Sequence, residues 1–187
     1  MAPYNDYPKF ERPRFFAGMI LSAEDFQAEQ QYHDNKRRMH NRCLHGCRVA
    51  CGLEVDLHKN TVYIEPGMAL DCHGNEIVVS GPAEISLPPR KRRFFLTIAY
   101  SETATRPGPG FSCDHDSEKL EFSRIQESFK LGWTARDPLA DHNCQKGAWV
   151  TCGRSHPIAI AKFVFRRRTL RLSRSFEAQI SRGRQFG

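Results

Sequence analysis

The residues best suited to chemistry in this chain are its seven cysteines and eight histidines. Thiolate and imidazole bind zinc, and a cysteine beside a histidine can act as a nucleophile. Cys43, Cys47 and Cys51 fall with His40 and His45 in the stretch HNRCLHGCRVACGLEV, His40 to Val55. A structural zinc site uses knuckles that bend the chain around the ion, followed by a second ligand pair. Here the apolar period changes from 3.6 to 2 after Gly46, and a helix end running into a strand points Cys43 away from the other two. These cysteines are expected to pack as small apolar residues. Cys113 and His115 in CDHD, and Cys144, Cys152 and His156 in the run ending at SH, sit outside the apolar alternation. Cys113, His115, Cys144 and Cys152 are the candidate ligands of a zinc clip joining two long loops; the plainer alternative is four unpaired side chains. Zinc is the one cofactor the composition suggests, and none is required. The chain has no nucleophile elbow, no glycine-rich phosphate loop and no HExxH, so no enzyme is expected.

The elements that would carry these residues form one domain with a peripheral arm and tail. The chain has 187 residues, and 28 Lys and Arg against 21 Asp and Glu give it a formal charge of +7. That excess favours acidic partners. An odd cysteine count and the lack of an apolar leader or a long apolar run argue against a disulfide framework and a membrane span. The expectation is a protein made in the cytoplasm.

Residues 1–20 alternate prolines with Phe10, Phe15, Phe16 and tyrosines and read as an extended arm. Ser22 and Asp25 form a capping-box pattern that predicts a helix from about Ala23 to Leu44, ended by Gly46. Its apolar stripe is thin, Ala28, Tyr32, Met39 and Cys43, while Gln30, His33, Arg37 and His40 line the other side. Such a helix lies on a surface or meets another subunit. Period-2 runs then predict strands: Cys47 to Val55 with Cys47, Val49, Cys51, Leu53 and Val55 facing inward, TVYIEPG, Glu76 to Ser80, Glu84 to Leu87, Arg93 to Glu102, Arg124 to Trp133 and His156 to Phe165. Glu127 falls on the apolar side of its strand, which suggests a bulge or an inward ion pair. Thr103 to Glu118 and Thr134 to Gly147 are expected to be long loops. The fold class is α+β, mainly β: one long N-terminal helix, then an antiparallel β-meander or small sandwich or barrel. The domain spans 21–165, with a basic tail over 166–187.

Arg90 to Arg93 and Arg166 to Arg168 could meet phosphates, and a zinc-stabilised nucleic-acid-binding module is the rival reading from another class. Both runs border apolar strands, however, where solubilising charges are expected, and no nucleic-acid-binding motif accompanies them.

The composite RPRFFAGMILSAEDFQAEQQYHDNKRRMHNRCLHGCRVACGLEV…VYIEPGMALDCHGNEIVV, about residues 12 to 80, resembles a family of bacterial proteins of phage-tail-like particles, in particular extracellular contractile injection systems. Ser123 to Leu131 and Pro157 to Phe165 extend the likeness. The elements Gly52-Leu53-Glu54-Val55 and Pro66-Gly67-x-Ala69-x-Asp71-x-x-Gly74 also resemble attachment domains of tail fibres and baseplate proteins. One departure is Cys47-Arg48, where the family often has Trp-Gly. The resemblance implies a structural subunit, an adaptor at the cap end of sheath and tube, or alternatively a peripheral baseplate or fibre-attachment component. Partners would be sheath, tube, cap or baseplate proteins, with a homo-oligomeric ring about the axis of an intracellular or released particle. Contact is then assigned to Phe15, Phe16, Tyr32, Arg37 and His40, and to Arg166, Arg167 and Arg168.

Overall fold

The computed structural model describes residues 9–88, 93–109, 120–138, 140, 156–166 and 169–173. Helix α1, Ala23–His40, starts at the expected capping box. The Asp25 amide donates to Ser22 Oγ at 3.4 Å, and the Ser22 amide returns a bond to Asp25 Oδ2 at 2.9 Å. Two N-terminal amides that the helix cannot satisfy internally are thereby paired. The α-helix is shorter than predicted because its last turn widens into a π-type turn, Asn41–His45, closed by the Gly46 amide donating to the Asn41 carbonyl at 2.9 Å.

Among the described residues ten strands follow: β1 Arg48–Gly52, β2 Val55–His58, β3 Thr61–Ile64, β4 Gly67–Leu70, β5 Glu76–Val79, β6 Ala83–Ser86, β7 Arg93–Pro109, β8 Leu120–Thr134, β9 Ile158–Arg166 and β10 Thr169–Leu172. All pairings are antiparallel. Two interleaved three-stranded sheets, β1-β4-β5 and β2-β3-β6, meet a four-stranded sheet of order β10-β9-β7-β8. The core lies between them: Val49, Leu53, Val62, Ile64, Ile77 and Val79 from the first two pack with Leu96, Ile98, Ile158 and Phe163 from the third. Burying a side chain of this size contributes about 1.5–3 kcal/mol. No α1 residue is buried, so the β sheets carry that stabilisation and the helix depends on caps, local pairs and its junction.

The predicted strand from Cys47 to Val55 is two strands. Register slips between Val49 and Cys51, which turns Cys51 to the exposed side while Cys47, Val49 and Leu53 stay buried. The chain then turns at Gly52 and Leu53, both at positive φ. A Cβ at Gly52 would collide with the Pro66 carbonyl, so the Gly-Leu-Glu-Val element is a close backbone crossing. Thr103–Pro109, expected to be loop, continues β7. Pro107 and Pro109 obscured it; both lie where, among the described residues, β7 has β8 as its only paired neighbour, and an edge without a second partner tolerates proline. β7 and β8 pair without a register shift, so Glu127 causes no bulge.

Candidate assembly surface

Two projections leave the core, each held at one end. The first is α1. Its C-terminal end sits on the turn between β4 and β5, which Asp71 shapes. Asp71 is buried; its Oδ1 accepts from the His73 and Asn75 amides, both at 2.9 Å, and its Oδ2 from Asn75 Nδ2 at 2.8 Å. Gly74, at φ 83°, lets this turn approach so closely that a Cβ there would strike the Arg38 carbonyl. Buried Asn41 donates through Nδ2 to the Gly74 carbonyl and to Glu76 Oε1, each at 3.0 Å. Arg42 Nη1 donates to the His73 carbonyl at 2.9 Å, and Arg37 Nη1 lies 3.7 Å from Glu76 Oε2. The remaining turns of α1 carry two ion pairs within the helix: His33 Nε2 with Glu29 Oε1 at 2.9 Å and Arg37 with Asp34 at 3.2 Å. Exposed pairs of this kind contribute about 0.2–0.5 kcal/mol each.

The arm runs beside the free end of α1. Phe10 meets Tyr32 edge to face at a centroid distance of 6.4 Å, and Lys36 Nζ stands 4.6 Å over the Phe10 ring. Beyond this contact the apolar side chains turn outward. Phe15 is 50% exposed, Phe16 67% and Ile20 92%, and Leu21 and Phe26 are exposed with them. Five large apolar groups within twelve residues mark a contact surface far better than scattered ones do.

The second projection is the ribbon formed by the outer parts of β7 and β8. Phe95–Ile98 is paired on both sides, with β9 and β8; from Ala99 to Pro109 β8 is the one paired neighbour among the described residues. At the base, Trp133 packs edge to face with Phe94 and Phe163, at 5.1 and 5.6 Å, and its Nε1 donates to the Ser86 carbonyl at 3.1 Å. Further out every residue from Glu121 to Ser128 is exposed, Phe122 and Ile125 included. Glu121, Arg124, Glu127 and Lys130 space opposite charges along β8, a pattern that discourages indiscriminate edge pairing. Tyr100 OH donates to Glu102 Oε1 at 2.8 Å. Burial, then the carboxylates of Glu102 and Glu127, push its phenol well above the ordinary tyrosine range. Glu127 does meet a cation, Arg37 Nη2 at 4.0 Å, across an exposed gap between the projections.

Of the residues assigned to contact, Phe15, Phe16, Arg37 and His40 are exposed and Tyr32 is half-buried under Phe10. The His40 ring lies 5.4 Å from that of His45. Arg166 ends β9, its side chain being outside the described residues, as are Arg167 and Arg168. Cys113, His115, Cys144 and Cys152 also lie outside them. Among the described residues no group of three or more His, Cys, Asp or Glu is placed to hold a metal, and no helix is long and apolar enough to cross a membrane. Cys47 and Cys72 pack in the core. Reasoning from sequence missed Asn41, since a buried asparagine in a polar helix end carries no periodic signal, and it missed the outer end of the ribbon, residues 103–109 and 120–123.

No known protein family matches the chain, and no curated protein does. Solved structures resemble it in part. A crystal structure of TssK aligns with 88% of this chain and 41% of its own at 14% identity and a TM-score of 0.47. A baseplate complex from the type VI secretion system aligns over 91% and 60% at 13% identity, and a TssK-TssF-TssG baseplate subcomplex over 91% and 62% at 14%, each with a TM-score of 0.47. The chain thus spans about two fifths to three fifths of the chains it aligns with.

Proposed function

We propose that this chain is a non-enzymatic structural subunit of a phage-tail-like contractile particle, seated in or beside its baseplate, with an adaptor position at the cap end as the alternative. The class of assembly comes from the sequence resemblance over residues 12 to 80. The structure supplies the observation that carries the reading: among the described residues, a helix without a buried residue and a ribbon whose outer part has no strand neighbour beyond its own two strands both project from a well-packed β core. Projections of this kind serve neighbours. A strand from another subunit can extend the ribbon, and an apolar surface can cover Phe15, Phe16 and Ile20. The baseplate position rests on Gly52-Leu53-Glu54-Val55 and Pro66 to Gly74, which resemble baseplate attachment elements; the two cross closely at Gly52 and Pro66, and the second ends at Gly74 in the joint that holds α1. The partners are other subunits of the particle, and copies around its axis would bridge adjoining rings.

Fractionation of producing cells on a density gradient, with mass spectrometry and electron microscopy of the same fractions, tests this. Co-migration with sheathed rods is expected, and gold-labelled antibody then distinguishes the baseplate end from the cap end. Confinement to light fractions while such rods sediment without the protein would overturn the proposal.

A further inference from the structure

We propose that the cleft between the last turns of α1 and the base of the ribbon binds a side-chain carboxylate presented by an acidic segment of a neighbouring protein. The proposal rests on the assembly reading for the existence of that neighbour, and it names the chemistry by which the neighbour is held. The cleft is about 450 Å³, with Arg38, Arg42 and His73 on one wall and Tyr100, Ser101 and Glu102 on the other. Arg38 and Arg42 are four residues apart on consecutive helical turns and so share a face.

Three buried nitrogens of residues that line it have no hydrogen-bond partner among the described residues: Arg38 Nε, Arg42 Nε and His73 Nε2. Buried polar atoms are nearly always paired, so three at one cleft require a cause. The nearby carboxylates do not supply it. Glu76 is taken by Asn41 and Arg37, Glu127 by Arg37, and Glu102 accepts the Tyr100 hydroxyl. Among the described residues neither Arg38 nor Arg42 has a carboxylate within ion-pair distance. Both are half-buried rather than enclosed, so rotation of their outer torsions can turn the Nε and Nη edges toward a ligand.

A planar guanidinium fork matches a carboxylate through two parallel bonds. Phosphate offers the same fork, but the Glu102 carboxylate on the facing wall repels a dianion more than a monoanion. It also disfavours the continuous negative charge of a nucleic acid. A cleft this size accommodates a whole acidic side chain with adjoining backbone, and it opens between the two projections. The net charge of +7 favours encounter with an acidic segment.

The test uses the full-length chain, with its arginine Nε–Hε and histidine ring resonances followed by NMR. The probes, in separate titrations, are acetyl-tetraglutamate amide, inorganic phosphate and a single-stranded oligonucleotide. With the peptide, the Arg38, Arg42 and His73 signals are expected to move and saturate together. Arg38→Gln should weaken the peptide at least ~10-fold, the loss expected for one charge-assisted fork, while Arg12→Gln, on the arm, should leave it unchanged. If Arg38→Gln perturbs folding, Arg38→Lys keeps the charge without the fork and should still weaken binding several-fold. Unsaturable shifts, preference for phosphate or oligonucleotide, or equal losses in the Arg12 and Arg38 variants would overturn the proposal. Failure of the peptide with co-migration intact removes this inference alone; loss of co-migration with peptide binding intact removes the assembly reading.

Discussion

β7 is one continuous strand with two environments. From Phe95 to Ile98, between β8 and β9, each residue is buried; from Glu102 to Ala104, paired among the described residues with β8 alone, each is exposed. Backbone geometry persists through the change, and what differs is whether a second neighbour closes the other edge. α1 divides in the same way. Asn41, just beyond its C-terminal end, is buried and bonded to the β4–β5 turn, while the helix itself has no buried residue. In both elements regular structure extends well past the core that justifies it. The pinned segments therefore set stability, and the free segments are available for recognition.

The contrast can be broken most sharply at Phe163, which is fully buried and stacks on Phe94 at 5.5 Å. Phe163→Ala should cost about 3–5 kcal/mol, measured by urea unfolding. Next is Asp71→Ala, which strips the acceptor from two turn amides and the Asn75 amide. A loss of about 3 kcal/mol is expected, the upper end for bonds to a charged group, and a much smaller one would mean the turn holds itself. Asn41→Ala should cost about 1–2 kcal/mol and, more tellingly, loosen α1 against the sheets, read as faster amide exchange at Arg37 to Arg42. On the free side the order reverses: Phe16→Ser with Ile125→Ser should change stability by under about 0.5 kcal/mol yet reduce incorporation into particles. If that pair destabilises the protein as Phe163→Ala does, the division between pinned and free segments fails. The smallest effect is at the ribbon base. Because the folded state holds the Tyr100 phenol protonated beyond its ordinary value of 10.0, the contribution is whole below that pH and declines as pH rises above it. Alkaline titration should show one late phenolate, absent in Tyr100→Phe.

Local chemistry was the legible part. Ser22 and Asp25 announced the helix start, and Gly46 announced its end. Alternation located most strands, because a strand with one buried face must show it. It misplaced Cys51, since a one-residue slip exchanges the two faces and nothing local marks a slip. The outer end of the ribbon, residues 103–109 and 120–123, and β10 escaped for the opposite reason: strands with exposed or mixed faces need no alternation. Of the contact residues, Phe15 and Phe16 were legible as aromatics without a core pattern, whereas the convergence of Arg38 and Arg42 on His73 depends on a contact more than thirty positions apart in the chain.

The way α1 is seated has a mechanical consequence. An 18-residue helix is roughly 27 Å long, and its moorings all lie at one end. A tilt of ~10° about Asn41 and Gly74 therefore carries Ser22 and the aromatic arm through ~5 Å, by the same helix geometry, without disturbing a core residue. In an assembly of the kind proposed above, such play would let identical copies reach partners at slightly unequal spacings, as when two stacked rings differ in their number of subunits. The polar joint would then act as a swivel that absorbs the misfit, while the sheets behind it remain rigid.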